Sequence, residues 1–156
     1  MVANTDRYYF AFGSNMDIDQ MAQRCPGAKF NKKGLLLCYR FAIDEARVAT
    51  IIPDNRGCVE GILWKVGAND LEQLDLYEGV ANGCYRRATV DIMRSQYDTV
   101  EAIVYISNRP ERKIADGTGS PYMKRIAEVA YAYEFPTSYQ RLLNLYAHAW
   151  SYGSKV

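Results

Sequence analysis

The spacing of the hydrophobic residues changes several times along the chain. Residues 8–12 form an aromatic and apolar run, which is typical of a strand. In residues 17–24 the apolar side chains recur three and four positions apart, and this spacing predicts a short helix. Residues 28–52 return to strand-like runs, with a polar interruption at residues 44–47. The first third of the chain is therefore expected to fold as a strand, a helix and further strands.

The middle of the chain combines turn, strand and helix signals. Residues 53–57, Pro-Asp-Asn-Arg-Gly, have the composition of a turn, and residues 58–66 predict a buried strand. Residues 70–78 carry apolar side chains on one helical face, with Asn69 as the expected N-cap and Gly79 as the C-terminal stop. We therefore expect a turn, a strand and a helix that ends at residue 78.

The last part of the chain predicts a hairpin, a loop and two helices. Residues 85–93 and 99–106 alternate between polar and apolar side chains, as in a β-hairpin. Residues 107–119 are polar and numerous enough to form a mobile loop over a site. Helices are predicted for residues 120–133, which begin with a capping Ser-Pro pair, and for residues 137–150.

The order of these elements indicates one domain. No internal repeat and no linker divides residues 1–156, and residues 151–156 are expected to form a loose tail. Strand and helix signals are mixed along the chain, and residues 85–106 predict a hairpin. The periodicity therefore supports a mixed α and β fold with mostly antiparallel pairing.

Composition and charge mainly exclude certain classes of function and location. With 19 basic and 18 acidic residues the net charge is +1, so no sequence-wide field attracts nucleic acid or a membrane surface. The first residues predict no signal peptide, and no apolar run is long enough to span a membrane. The four cysteines form no C-x-x-C pair of the kind that binds zinc, and most are expected to be reduced core residues. We therefore expect a cytoplasmic protein without nucleic-acid or membrane partners.

The strongest local signal is the junction at Gly13, where the aromatic run ends and small polar residues precede the first predicted helix. Backbone N–H groups at a helix N-terminus lack intrahelical partners and carry partial positive charge, so they bind carboxylates or phosphates. Ser14 and Asp17 also have the spacing of a capping box. A single glycine matches neither the dinucleotide-binding motif nor the P-loop. The residues alone leave two interpretations open, an anion-binding loop and a structural turn.

Glu78 lies on the same predicted helical face as Leu71 and Leu74, at the last helical position. Apolar surroundings and the negative end of the helix dipole both disfavour an ionised carboxylate, so we expect the pKa of Glu78 to be raised. Such a carboxyl group in a cleft is suited to proton transfer near neutral pH. If the helix instead frays at Tyr77, Glu78 faces solvent, and the pattern leaves both alternatives open.

Two segments together resemble the motifs of the gamma-glutamylcyclotransferase family, of the AIG2-like superfamily. Residues 9–16, Tyr-Phe-Ala-Phe-Gly-Ser-Asn-Met, match an aromatic strand that runs into Tyr-Gly-Ser-Asn-Leu/Met. Residues 77–80, Tyr-Glu-Gly-Val, and residues 83–85, Gly-Cys-Tyr, match a Glu-Gly-Val motif and the Gly-x-Tyr that follows it. The resemblance extends through residues 120–122 and departs at Phe12, where the family usually has tyrosine.

The resemblance implies an α+β fold in which a twisted, barrel-like, mostly antiparallel sheet is flanked by helices, with a cavity at one end of the barrel. It also implies a cofactor-independent reaction on a small-molecule gamma-glutamyl substrate, as in glutathione metabolism. The α-amine of the glutamyl group attacks its own γ-carbonyl carbon, and 5-oxoproline and a free amine or amino acid are released. No metal and no cofactor takes part in this reaction.

The resemblance also implies residue roles. Glu78 matches the catalytic glutamate, which takes a proton from the attacking amine and passes it to the leaving nitrogen. The loop after the first strand holds the glutamyl carboxylate through its N–H groups, and tyrosines line the pocket. The substrate-binding residues implied in this way are Tyr9, Gly13, Ser14, Asn15, Met16, Tyr85 and Tyr122. For the tyrosines, a place in the core or at the rim is the alternative.

Other polar residues are weaker candidates. His148, the only histidine, has apolar neighbours in the last predicted helix and is better suited to packing than to catalysis. Arg86 and Arg87 are consecutive on a predicted strand, so at most one of them reaches a ligand.

The sequence leaves further alternatives open. The protein could be a catalytically silent module that binds gamma-glutamyl groups or carboxylates. It could also be a cyclotransferase that removes a gamma-glutamyl protecting group from a larger biosynthetic substrate. The choice between a monomer and a homodimer is equally open.

Overall fold

A computed structural model describes residues 6–113 and 120–153, and their side chains up to residue 148. Within these residues the chain forms six strands, four α-helices and two short 3-10 turns. In chain order they are β1 (Arg7–Ala11), a 3-10 turn (Ser14–Met16), α1 (Ile18–Arg24), β2 (Lys29–Asp44), β3 (Ala49–Val66), α2 (Ala68–Tyr77), a 3-10 turn (Val80–Asn82), β4 (Tyr85–Ser95), β5 (Asp98–Ser107), β6 (Glu111–Arg112), α3 (Pro121–Ala132) and α4 (Thr137–Gly153).

The strands form one sheet in the order β3-β1-β5-β4-β2-β6, and β3 also pairs with β2. This additional pairing closes five strands into a barrel, with β6 attached at the outer edge of β2. Only the β1–β5 pair is parallel among the described strand pairs. The expected α+β fold with a barrel-like, mostly antiparallel sheet is confirmed.

The β2–β3 hairpin corrects one prediction. Residues 53–57, which were expected to form a turn, lie inside β3, where Pro53 pairs with Tyr39 of β2. The register shifts beside this pair, and Cys38 has a φ of +66° at the shift. Such irregular positions tolerate proline, so pairing with β2 overrides the local turn composition. The chain reverses instead at residues 45–48, within the polar interruption that separates the strands.

The hairpin of β4 and β5 is confirmed; its pairing runs from Tyr85 opposite Ser107 to Met93 opposite Thr99, and the register shifts once before Ser95 pairs with Asp98 at the turn. The residues after β5 differ from the expected loop, because Glu111 and Arg112 form β6 and pair with the end of β2. Residues 114–119 of the predicted mobile loop lie outside the described residues.

The helices agree with the sequence except at some of their ends. Ser120 caps α3 as predicted, and its hydroxyl accepts a hydrogen bond from the N–H of Met123 at 3.2 Å. The N-cap of α2 is Gly67 rather than Asn69, since the Gly67 N–H donates to the Asp70 carboxylate at 3.0 Å. Helix α4 continues into the predicted tail, of which residues 154–156 lie outside the described part. None of the described helices is both long and apolar enough to cross a membrane.

The cysteines differ from the expectation that most of them fill the core. All four are free thiols, and Cys25 is the fully buried one. Cys38 and Cys58 are exposed on the β2–β3 hairpin, and Cys84 is partly buried. Cys38 lies at the register shift between Leu37 and Tyr39. The regular alternation of buried and exposed side chains is interrupted at this position.

One hydrophobic core joins the barrel to the helices. Fully buried side chains come from β1, β2, β3 and β4 and from helix α3, among them Phe10, Phe41, Leu63, Ile92 and Met123. The 3-10 turn after β1 is packed against α1 and α3. This packing fixes the turn at one end of the barrel, where the cavity described below opens.

Candidate active site

A cavity of about 300 Å³ opens where β1 leaves the barrel and α2 ends. Its lining includes five tyrosines and two arginines, and Glu78 is the only carboxylate among its described lining residues. The first turn after β1 and the end of α2 thus meet in one site, although about 65 positions separate them in the sequence. The lining tyrosines and arginines are Tyr9, Tyr77, Tyr85, Tyr105, Tyr122, Arg24 and Arg109.

The turn after β1 contributes Gly13, Ser14 and Asn15 to the lining of this cavity. The chain enters a 3-10 turn in which the Met16 N–H donates to the Gly13 carbonyl at 3.0 Å. The N–H groups of Ser14 and Asn15 precede the first bond of the turn and donate to no group within residues 6–113 and 120–153. Two adjacent unpaired donors on the cavity wall are suited to binding an anion.

Gly13 has a steric reason to be glycine. A Cβ at this position would lie 3.0 Å from the Cβ of Ala49 and 3.4 Å from the Tyr122 hydroxyl. The backbone of the turn can therefore approach β3 and α3 only because no side chain intervenes.

The predicted capping box of Ser14 and Asp17 does not form. The Asp17 carboxylate caps α1 by itself and accepts a hydrogen bond from the Asp19 N–H at 3.1 Å. The Ser14 hydroxyl instead accepts a hydrogen bond from the Gln20 side-chain amide at 2.7 Å. The reason is the 3-10 turn, which places Ser14 before α1 rather than at its cap.

Asn15 organises the inner wall of the cavity with its side chain. The side-chain amide donates to the Tyr9 hydroxyl at 3.0 Å, and the side-chain oxygen accepts hydrogen bonds from Arg24 at 2.9 Å and Gln20 at 3.0 Å. The Asn15 carbonyl accepts the indole N–H of Trp64 at 3.0 Å. The backbone N–H of Asn15 and the second N–H of its side-chain amide therefore have no acceptor within the described residues.

Glu78 occupies the C-cap position of α2, and its half-buried carboxylate faces the cavity. Gly79, with a φ of +62°, ends the helix directly after it, as predicted. In the described part of the chain this carboxylate has neither a hydrogen bond nor an ion pair. Burial raises the pKa of Glu78 to about 6, and the positive charges of Arg24 and Arg109 oppose the rise. The raised pKa agrees with the sequence-based expectation.

Three tyrosine hydroxyls differ in what they offer to a ligand. The Tyr122 hydroxyl accepts the Ala49 N–H at 3.1 Å and also interacts with the Ser14 side chain. The Tyr9 hydroxyl accepts a hydrogen bond from Asn15 and retains its own proton for donation. The Tyr85 hydroxyl already donates to the Ala49 carbonyl at 2.8 Å. Burial raises the pKa of Tyr122 to about 12, and it also raises the pKa of Tyr9 and Tyr85, so all three remain protonated at neutral pH.

Arg109 lines the cavity, although no sequence pattern pointed to it. Its Nε donates to the carboxylate of Asp44 at 2.8 Å, and its guanidinium carbon lies 5.2 Å from the centre of the Tyr85 ring. Asp44 has no solvent exposure, and it also accepts the Ser107 hydroxyl at 2.6 Å and the Ala46 N–H at 2.8 Å. The buried carboxylate thereby holds the arginine at the cavity wall.

Arg24 and Tyr105 are further lining residues that the sequence did not indicate. The Arg24 guanidinium lies 4.6 Å from the centre of the Tyr77 ring. The Tyr105 hydroxyl donates to Asp75 at 2.8 Å. Each of them depends on partners that are distant in the sequence, so local patterns carry no signal for them.

Met16 is the candidate substrate-binding residue that the structure removes from the site. Its side chain is fully buried and does not line the cavity, and its N–H is engaged with Gly13. The other candidates, Tyr9, Gly13, Ser14, Asn15, Tyr85 and Tyr122, all line the cavity together with Glu78. The 3-10 turn accounts for the difference, because Met16, its last residue, returns to the core.

The weaker candidates Arg86, Arg87 and His148 do not line the cavity. Arg87 forms a bidentate ion pair with Asp75 at 2.7 Å, and Arg86 donates to the Ser107 carbonyl at 3.3 Å. His148 is exposed on α4.

Comparisons with known proteins identify relatives of this chain. Two curated relatives carry the name gamma-glutamylcyclotransferase. The Bos taurus protein is 26% identical over 146 residues, which cover 87% of this chain and 76% of the relative. The Homo sapiens protein is 27% identical over 146 residues, with coverage of 86% and 76%.

A solved structure and a family model also match this chain. A solved structure named gamma-glutamyl cyclotransferase superimposes with a TM-score of 0.76 at 24% identity, over 89% of this chain and 86% of that one, which shows a shared fold. Residues 58–143 match the model of the AIG2-like family. The chain therefore belongs to the AIG2-like family, in agreement with the resemblance to gamma-glutamylcyclotransferases that its two motifs carry.

Proposed function

We propose that this protein is a gamma-glutamyl cyclotransferase. The α-amine nitrogen of the glutamyl group forms a bond to its own γ-carbonyl carbon, and the bond from that carbon to the leaving nitrogen breaks. One proton moves from the attacking nitrogen to the leaving nitrogen, so that 5-oxoproline and a free amine or amino acid are formed. The atoms balance without water or a cofactor.

Glu78 is the proton carrier in this proposal. With a pKa of about 6 its carboxyl group is mostly ionised at neutral pH, so it accepts a proton from the attacking amine and returns it to the leaving nitrogen. The single observation that carries the proposal is this partner-free carboxylate, which shares one cavity with the unpaired N–H groups of Ser14 and Asn15.

The loop and the tyrosines are proposed to hold the glutamyl group in a reactive shape. The N–H groups of Ser14 and Asn15 bind its α-carboxylate, and the hydroxyls of Tyr9 and Tyr122 donate hydrogen bonds to substrate oxygens. Tyr85 contributes a packing surface and an acceptor, because its proton is already engaged.

The comparisons support this proposal at the level of the family. The two curated relatives bear the name of the activity, and their sequences are 26% and 27% identical to this chain. The cytoplasmic location and the place in glutathione metabolism stay predictions.

Incubation of the protein with a panel of gamma-glutamyl amino acids, peptides and amines tests the proposed function. We expect 5-oxoproline and the free leaving amine in equal amounts. Release of glutamate would identify an amide hydrolase instead. Binding without turnover would identify a silent module, and turnover of only larger gamma-glutamyl conjugates would indicate removal of a protecting group.

A further inference from the structure

The side-chain amide of Gln20 contacts the turn after β1 from outside the cavity. Gln20 lies on α1 and is not part of the cavity lining, but its Nε2 donates to the Ser14 hydroxyl at 2.7 Å and to the Asn15 side-chain oxygen at 3.0 Å. One amide group thus bonds to two consecutive residues of the turn. Since Gln20 does not reach the cavity, any effect that it has on the proposed reaction must pass through these residues.

Arg24 fixes the direction of the Asn15 amide. A guanidinium group can only donate hydrogen bonds, so the atom of Asn15 that Arg24 meets at 2.9 Å is the side-chain oxygen. Gln20 donates to the same oxygen and occupies its second lone pair. The Asn15 Nδ2 is therefore turned toward the Tyr9 hydroxyl, to which it donates at 3.0 Å. A rotated amide would place its two N–H groups against two donors.

The direction of the Asn15 amide decides what Tyr9 offers to a ligand. Because the Tyr9 hydroxyl accepts a hydrogen bond from Asn15, its own proton is left for an acceptor in the cavity. With the amide rotated, the hydroxyl would donate to the Asn15 oxygen and would keep no proton for a ligand. Tyr9 is also within electrostatic reach of Glu78, whose charge adds to burial in raising the pKa of Tyr9. The proton of Tyr9 is therefore directed in the region of the proposed proton carrier.

We propose that Gln20 is a positioning residue for catalysis, which acts through Asn15 and keeps the proton of the Tyr9 hydroxyl directed at the substrate. This inference rests on the proposed cyclotransferase function. Arg24 shares the task at the Asn15 oxygen, but it lies in the cavity wall and lowers the pKa of Glu78. Gln20 is neutral and outside the cavity, so a substitution there tests the positioning without removing a charge from the site.

Two substitutions of similar length separate hydrogen bonding from packing at residue 20. The assay measures release of 5-oxoproline from gamma-glutamyl-alanine at pH 8, where Glu78 is ionised. Gln20→Met fills the same space without an N–H group, and we expect it to lower kcat/KM by about tenfold, as for the loss of one or two hydrogen bonds. Gln20→Lys keeps a donor at a similar reach, so its kcat/KM should stay within about threefold of the wild-type value. Gln23→Met, at an exposed position of the same helix, is the matched control and should leave kcat/KM unchanged.

A double-mutant cycle tests the route through Tyr9. Tyr9→Phe removes the hydroxyl group that the chain of hydrogen bonds is proposed to direct. In the Tyr9→Phe protein, Gln20→Met should therefore lower kcat/KM by less than about threefold, because the group that it positions is already absent. If the two losses simply multiply, Gln20 does not act through Tyr9, and the proposal is overturned.

Three further outcomes would overturn the proposal. The first is a Gln20→Met protein with wild-type kcat/KM, and the second is a Gln20→Met protein that is more active than Gln20→Lys, as expected if residue 20 only packs. The third is a loss of activity that matches the loss of folded protein, measured by circular dichroism at the assay temperature. All of these results leave the cyclotransferase function intact, whereas absence of 5-oxoproline from the wild-type reaction with gamma-glutamyl-alanine and with the rest of the panel would overturn the proposed function and this inference together.

Discussion

At the scale of single residues, Glu78 is distinguished by what surrounds its carboxylate. Several partly buried carboxylates have a cationic or hydroxyl partner, such as Asp75 with Arg87 and Tyr105. Glu60 has no such partner in the described part of the chain, but it does not line the cavity. Glu78 has no such partner among the described residues, and burial raises its pKa to about 6. A structural carboxylate would gain from a partner, whereas a proton carrier has to remain free to exchange its proton.

Glu78→Gln should abolish turnover while the fold remains intact. The amide is nearly isosteric with the carboxyl group but cannot carry the proton between the two nitrogens, so we expect kcat to fall by about 10²- to 10⁴-fold. Release of 5-oxoproline measures the loss, and circular dichroism checks the fold. A variant with wild-type kcat would remove Glu78 from the mechanism.

The same substitution should change stability in a pH-dependent way. The folded-state pKa of Glu78 lies above its ordinary value of 4.5, so the folded protein binds this proton more tightly than the unfolded chain does. The ionised carboxylate therefore destabilises the fold as the pH rises from about 4.5 to 6.

We accordingly expect the stability of Glu78→Gln, relative to that of the wild-type protein, to increase by about 1 to 2 kcal/mol between pH 4 and pH 8. Urea unfolding of both proteins at the two pH values measures this change. The other carboxyl groups are common to both proteins and cancel in the comparison. A stability difference that is the same at pH 4 and pH 8 would show that the pKa of Glu78 is not raised by folding.

At the scale of elements, the site is built from the ends of strands and helices rather than from their middles. The end of β1 supplies the donor turn, the end of α2 supplies Glu78, and the residues after β5 supply Arg109. Ends leave backbone groups unpaired and side chains free to face a cavity. The elements behind them are held by the sheet, which keeps these ends in fixed positions.

Gly13→Ala tests the turn as an element. The added Cβ would lie 3.0 Å from the Ala49 Cβ, so the turn must shift away from β3, and the N–H groups of Ser14 and Asn15 shift with it. We expect kcat/KM to fall by about tenfold or more, since displacements of this kind misplace the bound substrate.

The double variant Gly13→Ala with Ala49→Gly provides the control for this prediction. It removes the methyl group that the new Cβ meets, so it should recover part of the lost activity. If Gly13→Ala keeps wild-type kcat/KM, the position of the turn is not important for binding. If the double variant is no better than the single one, the contact with Ala49 is not the cause of the loss.

At the scale of the whole molecule, the closed barrel holds in place the elements whose ends line the cavity. Pairing of β3 with both β1 and β2 leaves no gap in the five-stranded ring, and buried side chains such as Phe10, Leu63 and Ile92 fill it. A rigid support of this kind keeps the ends of the elements, and therefore the site, in fixed positions.

Leu63→Ala should destabilise the molecule strongly, because this side chain has no solvent exposure in the core. We expect a loss of about 2 to 5 kcal/mol in the free energy of unfolding, measured with urea. Leu76→Ala is the matched control, since Leu76 is 72% exposed on α2 and its removal should change stability by less than about 0.5 kcal/mol. Equal effects of the two substitutions would contradict the assignment of the core.

Two correct predictions depend on contacts a few positions apart, whereas one wrong prediction was overridden by long-range pairing and another by a competing local bond. Ser120 and Gly79 were predicted as the cap and the stop of their helices because each acts on backbone groups a few positions away. The turn at residues 53–57 was predicted wrongly because pairing with β2 overrides its composition. The Asn69 cap failed because Asp70 bonds to Gly67 instead.

The sequence by itself determined the mixed α and β class, the hairpin of β4 and β5, and the two motifs that meet in the cavity. These features depend on local spacing and on short runs of residues. Only the tertiary structure decided that β3 pairs with both β1 and β2, that Met16 returns to the core, and that Asp44 holds Arg109 beside the Tyr85 ring. Such contacts join residues that are far apart in the sequence, and no local pattern records which distant partner a side chain meets when the barrel closes.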